Sequence, residues 1–211
     1  MYKFLAFSDI HASEEALDAL RRISARENFD AVLCVGDITN RGPVAYAREL
    51  IGLFENFYFV HGNMDSPNVI DEIRNHPGYI HGKKVKFNEW NFVGLGGSNP
   101  TPFSTPSEYS ERQIEDILNI TEADYNSIVL SHPPPKGIFD LVGEGQHVGS
   151  AAVLNFIKKV KPLMLICGHI HENVGQKIVD ETLVVKLPAA ENLKAAKITI
   201  SNNIKVEFFS L

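Results

Sequence analysis

Five apolar residues in a row, Ala31–Val35, run directly into Gly36-Asp37 and then into a polar turn, Ile38-Thr39-Asn40-Arg41-Gly42. A run with no polar alternation is the pattern of a buried strand, and such strands belong to sheets covered on both faces. Gly36 has no side chain, so Asp37 can approach a ligand closely at the strand's C-terminal edge. Gly-Asp after a strand is often a plain turn. It gains meaning here because four other strand ends also finish in side chains that bind metals.

The rest of the chain alternates around this strand. Residues 2–8 read as a strand. Residues 13–26 read as an amphipathic helix, with Ser13 as cap and Ala16, Leu17, Leu20 and Ile23 on one face. Pro43 opens a helix expected to reach residue 55. A strand over 57–61 ends in Gly62-Asn63-Met64-Asp65, and a helix follows over 67–74. This strand–helix alternation points to an α/β fold with parallel pairing. Further strands are expected over 89–95, 127–131 and 163–167, with helices over 108–119 and 150–160. The tail, with short strands over 183–186, 197–200 and 204–208, reads as a β-meander completing a second sheet. Between these lie a proline-rich loop, residues 99–106, and an irregular stretch, residues 137–149. Loops of that length in a compact domain are commonly lids or binding loops. The first of them is expected to flank the functional cavity.

A length of 211 residues and an apolar fraction of 44% suit one domain spanning residues 1–211, and no polar linker divides the chain. The net charge of −6, with no basic block, argues against a general nucleic-acid surface, although a small nucleotide remains a possible substrate. The two cysteines, Cys34 and Cys167, each sit in an apolar strand and read as buried free thiols. No run is long enough to span a membrane, and the expected location is the cytoplasm.

Five strand ends carry the chemistry: Asp9 and His11, Asp37, Asn63, His132, and His169 with His171. In extended chain, residues i and i+2 face one side, so each Asp-x-His or His-x-His pair can reach one cavity. In open α/β sheets, sites form at the carboxyl ends of strands, where all of these residues lie. None of the motifs is diagnostic alone; the weight lies in their conjunction. Two carboxylates with neutral imidazoles and an amide total −2. Two divalent cations would bring the site near +2, a charge suited to an anionic phosphate ester. The mixed N/O donor set fits Mn, Fe, Zn, Ni or Co better than Mg or Ca, and Asp37 is the residue expected between the two ions.

The motifs Asp9-x-His11, Gly36-Asp37-(x)3-Arg41-Gly42, Gly62-Asn63-x-Asp65, His132 and Gly168-His169-x-His171 resemble the calcineurin-like metallophosphoesterase superfamily. The loop Gly97–Phe103 and the short chain resemble, more loosely, its prokaryotic Icc-related branch. The resemblance implies a four-layer αββα sandwich of two mixed sheets flanked by helices. It implies one metal held by Asp9, His11, Asp37 and His171, with Mn favoured, and a second held by Asp37, Asn63, His132 and His169. The implied reaction is in-line hydrolysis of a phosphate ester, more readily a diester, by a hydroxide between the two metals. By the same resemblance Arg41 touches phosphate or braces its loop, and Asp65 orients its neighbours. Many family members place a general-acid His where this chain has Met64. His147 is the candidate for a group on the substrate side. The rival readings are a nuclease and a non-catalytic interaction module, the latter known in this superfamily with an eroded metal site.

Overall fold

The computed structural model describes residues 1–211. Thirteen strands and five α-helices follow in chain order. They are β1 (Tyr2–Phe7), α1 (Glu14–Arg26), β2 (Ala31–Val35), α2 (Val44–Ile51), β3 (Phe57–Val60), α3 (Pro67–Ile73), β4 (Lys84–Phe87), β5 (Trp90–Leu95), α4 (Glu111–Ile120), β6 (Ser127–Ser131), β7 (Leu141–Val142), β8 (Gln146–His147), α5 (Ala151–Val160), β9 (Met164–Cys167), β10 (Gly175–Val179), β11 (Thr182–Lys186), β12 (Lys194–Ile200) and β13 (Ile204–Ser210). No helix is long and apolar enough to cross a membrane.

Two mixed sheets pack face to face. The first runs β13-β12-β1-β2-β3 and the second β10-β11-β9-β6-β5-β4, while β7 and β8 form a separate small hairpin. The period-2 alternation of each strand assigns its residues to layers. In β1, Phe4 and Ala6 face the space between the sheets, where they join Leu33, Val35, Phe92, Leu130 and Ile166. Leu5 and Phe7 face outward and pack on Leu17 and Leu20 of α1, Leu50 of α2 and Ile73 of α3. Val129, Leu165 and Cys167 face outward from the second sheet against Ile114 and Leu118 of α4 and Val153 and Ile157 of α5. Three apolar layers between four layers of secondary structure give the αββα sandwich.

Helix limits follow local chemistry. Ser13 caps α1 by accepting the Ala16 N–H at 3.2 Å. α2 stops at Ile51, short of the expected residue 55, because Gly52 follows. α4 begins at Glu111 rather than 108, because Ser110 and Gln113 form a capping box. Glu108 is instead taken up by the preceding loop, accepting the N–H and the hydroxyl of Thr105 at 2.7 and 2.6 Å.

Four strands escape the sequence pattern: β7 and β8, within the stretch expected to be irregular, and β4 and β10, at sheet edges. β4 and β10 are edge strands carrying exposed lysines and other polar residues, and they pair antiparallel with β5 and β11. The tail is not one meander completing one sheet. β11 lies parallel to β9 in the second sheet, whereas β12 crosses over to pair antiparallel with β1 in the first. A 3-10 turn, Ala190–Asn192, makes the crossing. It is tied to the site by the N–H groups of Ala190 and Glu191, donated to the carbonyls of Ser8 and Asp9.

Candidate metal centre

The parallel strands β1, β2, β3, β6 and β9 end on one edge of the two sheets, and each end delivers an expected residue to it. The segments after them are laced together by backbone hydrogen bonds: Asp9 N–H to Gly36 O, His11 N–H to Asp37 O, His132 N–H to Leu95 O and Gly168 N–H to His132 O. The extended-chain argument for the i, i+2 pairs does not survive. Asp9, His11, Asp37 and His169 all have left-handed backbones, with φ of 55°, 48°, 50° and 71°. The chain has already turned out of the strand at these positions. Sparsely populated backbone of this kind persists where surrounding structure enforces it, as at functional sites.

The glycines before the candidate ligands serve close approach between neighbouring turns. A Cβ on Gly62 would lie 2.0 Å from Asp37 Oδ1, and one on Gly168 would lie 1.9 Å from Ser8 Oγ and 2.6 Å from Asp9 Oδ2. Any side chain at either position would displace a carboxylate of the site.

Asp9, His11 and His171 place one donor atom each within 4.8 Å of one another, as do Asp9, Asp37 and His132. Asp9, Asp37, Asn63 and His132 are buried, whereas His171 reaches solvent. Asp37 Oδ2 lies between the two groups of imidazoles, 3.7 Å from His11 Nε2 and 3.5 Å from His132 Nε2. On the other side, His171 Nε2 is 3.6 Å from Asp9 Oδ1. The rings of His11 and His171 pair at 5.5 Å, and those of His132 and His169 at 5.0 Å. Asp9 therefore sits in both triads, a placement that strand-end spacing does not reveal.

This donor set fits divalent cations. Separations of 3.5–3.7 Å are too long for good hydrogen bonds. Two atoms each held about 2.1 Å from one tetrahedral ion lie about 3.4 Å apart, close to what is seen. The side-chain orientations agree. His132 Nδ1 lies 2.7 Å from the Val35 carbonyl, so an Nδ1–H donates there and Nε2 faces the cluster. Asn63 donates its amide to Thr105 Oγ1 at 3.0 Å, which turns its carbonyl oxygen to within 2.8 Å of His132 Nε2.

Charge tells the same story. Burial opposes a charge on His132, yet Asp37, Asp9 and the Val35 carbonyl push its pKa up to about 9. A protonated His132 ring in the metal-free chain offsets one of the two carboxylate charges. Asp9 is held well below the usual carboxylate range: burial works against ionisation, but His171, His132 and Lys186 outweigh it. Burial pushes His169 down to about 4, which keeps its ring neutral and able to donate a lone pair.

Asp65 binds no cavity atom. Its buried carboxylate accepts the N–H groups of Ile38, Thr39 and Gly62 and the Thr39 hydroxyl, at 2.8–3.1 Å. It thereby clamps the turn after β2 to the turn after β3. Asp37 Oδ1 completes the clamp by accepting the Met64 N–H at 2.8 Å. Arg41 is exposed, and its side chain makes no hydrogen bond or ion pair. His147 lies on β8, partly exposed, with Nδ1 2.6 Å from Asp140 Oδ1.

The cluster forms the floor of a cavity of about 870 Å³. Asn99, Pro100, Thr101, Pro102, Phe103 and Thr105 of the proline-rich loop form one wall, as the sequence led us to expect. Arg41, Met64, Lys136 and His147 line it as well. Sequence reasoning missed Lys136, Thr105, Asp140 and Lys186. The Thr105-x-x-Glu108 spacing carried a usable signal, since it is a capping-type pattern. Lys186 ends an apolar strand and would pass for a surface lysine. It is instead fully buried near Asp9, donating to the Leu187 carbonyl at 2.9 Å.

With this geometry in view, likenesses to other proteins can be placed. The family model described as calcineurin-like phosphoesterase matches residues 2–173. An uncharacterized protein of Methanocaldococcus jannaschii, MJ1162, is 32% identical over 192 residues, covering 87% of this chain and 86% of its own. The crystal structure of TT1561 of Thermus thermophilus superposes with a TM-score of 0.76 at 20% identity, covering 99% and 98% of the two chains. A structure described as a novel archaeal phosphodiesterase superposes with a TM-score of 0.62 at 15% identity, covering 99% of each chain. At those identities the two structures speak for the fold. The family match reaches from the first strand past the last candidate ligand, and the chain belongs to the calcineurin-like phosphoesterases.

Proposed function

We propose that the chain, acting as a single domain, hydrolyses phosphate esters with two divalent cations, and that it favours small diesters over monoesters. The observation that carries this reading is Asp37 Oδ2, set between His11 and His132 at 3.7 and 3.5 Å, with Asp9 common to both donor triads. The proposed assignment is Asp9, His11, Asp37 and His171 for one ion, and Asp37, Asn63, His132 and His169 for the other. When bound, the ions supply Lewis-acid polarisation of the phosphoryl group and an acidified water.

The chain's own residues do the rest. Asp37 and Asp9 offset the repulsion between two cations, and Asp65 holds the turn that presents Asp37. Arg41 and Lys136 line the cavity as cations that attract an anionic ester. The cavity volume leaves room for two substituents on phosphorus, as a diester requires. A described archaeal phosphodiesterase among the structures of this fold is in keeping with that preference. Manganese is the favoured ion from the N/O donor set. The two buried free thiols are in keeping with a cytoplasmic location. The interaction-module reading is disfavoured because every expected donor type is present and Asp9, His11, Asp37, His132 and His171 fall into the two donor triads. A nuclease is disfavoured by the net charge of −6.

The test is metal content after reconstitution with Mn, together with rates on bis(4-nitrophenyl) phosphate and 4-nitrophenyl phosphate. Two ions per chain and a higher kcat/KM on the diester are expected. A chain that binds metal and hydrolyses neither ester would overturn the reading.

A further inference from the structure

Hydrolysis of an ester with a poor leaving group needs a proton for the departing oxygen, and Met64 has none to give. Outside the ligand cluster, five titratable side chains reach the cavity: Arg41, Glu111, Lys136, His147 and Glu172. Arg41 and Lys136 are cations suited to holding the anion. Glu111 is engaged by the start of α5, accepting the Ser150 hydroxyl at 2.8 Å and the N–H groups of Ala151 and Ala152 at 3.2 and 2.7 Å. Glu172 is exposed and has no hydrogen bond to orient it. His147 is different: its ring is partly exposed and lies 2.6 Å from the fully buried Asp140.

We propose that His147, oriented by Asp140, is the proton donor to the leaving-group oxygen. The proposal rests on the phosphoesterase reading above and assigns the one role which that reading leaves open.

The support is geometric. Asp140 Oδ2 accepts the N–H groups of Gly137 and Gly149, both at 2.9 Å, and the Asp140 carbonyl accepts the Val148 N–H at 3.1 Å. The base of the β7–β8 hairpin is thus closed around the carboxylate. Two contacts tie the hairpin to the other walls. Asn99 donates to the Val148 carbonyl at 3.0 Å, and Asn173, just past His171, donates to the Leu141 carbonyl at 2.6 Å. Burial opposes ionisation of Asp140, but the N–H groups of Gly137 and Gly149 and the His147 ring hold it below the usual carboxylate range. The carboxylate therefore takes Nδ1–H, and the second proton of the imidazolium resides on Nε2, the nitrogen left free. An acid, an orienter and a mount tied to two walls of the cavity are parts such a role uses.

In the step, a water that has released one proton to solvent bonds to phosphorus as hydroxide while the bond from phosphorus to the ester oxygen breaks. That oxygen takes the Nε2 proton and leaves as the alcohol. His147 is left neutral and regains a proton from solvent, to which its side chain is 45% exposed.

The experiment measures kcat/KM over methyl aryl and dialkyl phosphodiesters of graded leaving-group pKa, at equal Mn content, for the wild type, His147→Ala and Asp140→Asn. For His147→Ala we expect a loss of about 10²–10³-fold on phenyl and alkyl leaving groups, under tenfold on 4-nitrophenyl, and partial rescue by added imidazole on the poor leaving groups only. Asp140→Asn keeps an oxygen for Gly137 and Gly149 but presents an amide N–H to Nδ1. It should steepen the leaving-group dependence while His147 is still present, an effect that mere loosening of the hairpin would not produce. An equal loss across the series, or none, overturns the role of His147 and leaves the esterase reading standing. A metal-loaded wild type inactive on every member overturns both.

Discussion

His132 Nδ1 on the second sheet lies 2.7 Å from the carbonyl oxygen of Val35 on the first. One imidazole therefore spans the two sheets at their shared edge while its other nitrogen faces the cluster. On the proposed assignment, binding of cations and packing of the sandwich are linked through this ring. Metal should accordingly stabilise the fold: Mn at a hundred times its Kd contributes about 2.7 kcal/mol. For a chain of this size that corresponds to a Tm rise of roughly 5–10 °C. Differential scanning fluorimetry with Mn and with a chelator checks it, and coincident curves would contradict the proposed centre.

Asp37→Ala should abolish hydrolysis and lower occupancy at both ion positions, because Oδ2 faces both sets of imidazoles. The companion variants separate the two: His171→Ala should chiefly empty one position and His169→Ala the other. Elemental analysis reads all three. Full occupancy by two ions in Asp37→Ala would rule out a shared carboxylate.

Thr105→Val tests the support of a proposed ligand from outside the cluster. Without the hydroxyl, the Asn63 amide nitrogen loses its hydrogen-bond acceptor, and only the contact with His132 itself still orients the carbonyl. Metal affinity should fall by about 10- to 100-fold, the usual effect of removing such a support. Thr105→Ser should restore it. Competition against a chromophoric chelator gives the affinities, and circular dichroism checks that the fold is kept.

Acid should destabilise the metal-free chain through His81. Burial, with Lys83 adding to it, pushes this ring down to about 4, and its Nδ1 accepts the Gly96 N–H at 2.9 Å. The unfolded chain takes up that proton near pH 6.5, whereas the folded chain waits until about 4. Between those values the unfolded state binds more protons, so stability is full above pH 6.5 and falls as the pH drops. The slope is about 1.4 kcal/mol per pH unit. His61, buried beside it and likewise pushed down by burial, adds in the same direction. Urea midpoints at pH 7 and pH 5 in chelator should differ less for His81→Gln than for the wild type.

Much of this molecule was legible in its sequence. Apolar runs cut off by a polar residue, with a glycine beside it after β2, β3 and β9 and prolines after β6, located these four strands, because a buried strand must be apolar and its turn must not be. The order of Asp9, His11, Asp37, Asn63, His132, His169 and His171 along the chain was sufficient to recognise the superfamily and hence its sandwich. What the sequence could not supply were relationships between distant segments. The edge strands β4 and β10 carry lysines and lack an apolar run, so only their pairing reveals them. The transfer of β12 to the first sheet depends on which sheet edge stands open, a property of the assembled layers. Lys186 reads as a surface residue until the cluster is built over it. Asp140 and His147, seven residues apart, share no motif, and they meet only because a hairpin folds back on two glycine N–H groups. Local patterns determine which residues seek burial and where strands stop. Only close packing of the two sheets decides which side chains, remote in sequence, face one another across a cavity.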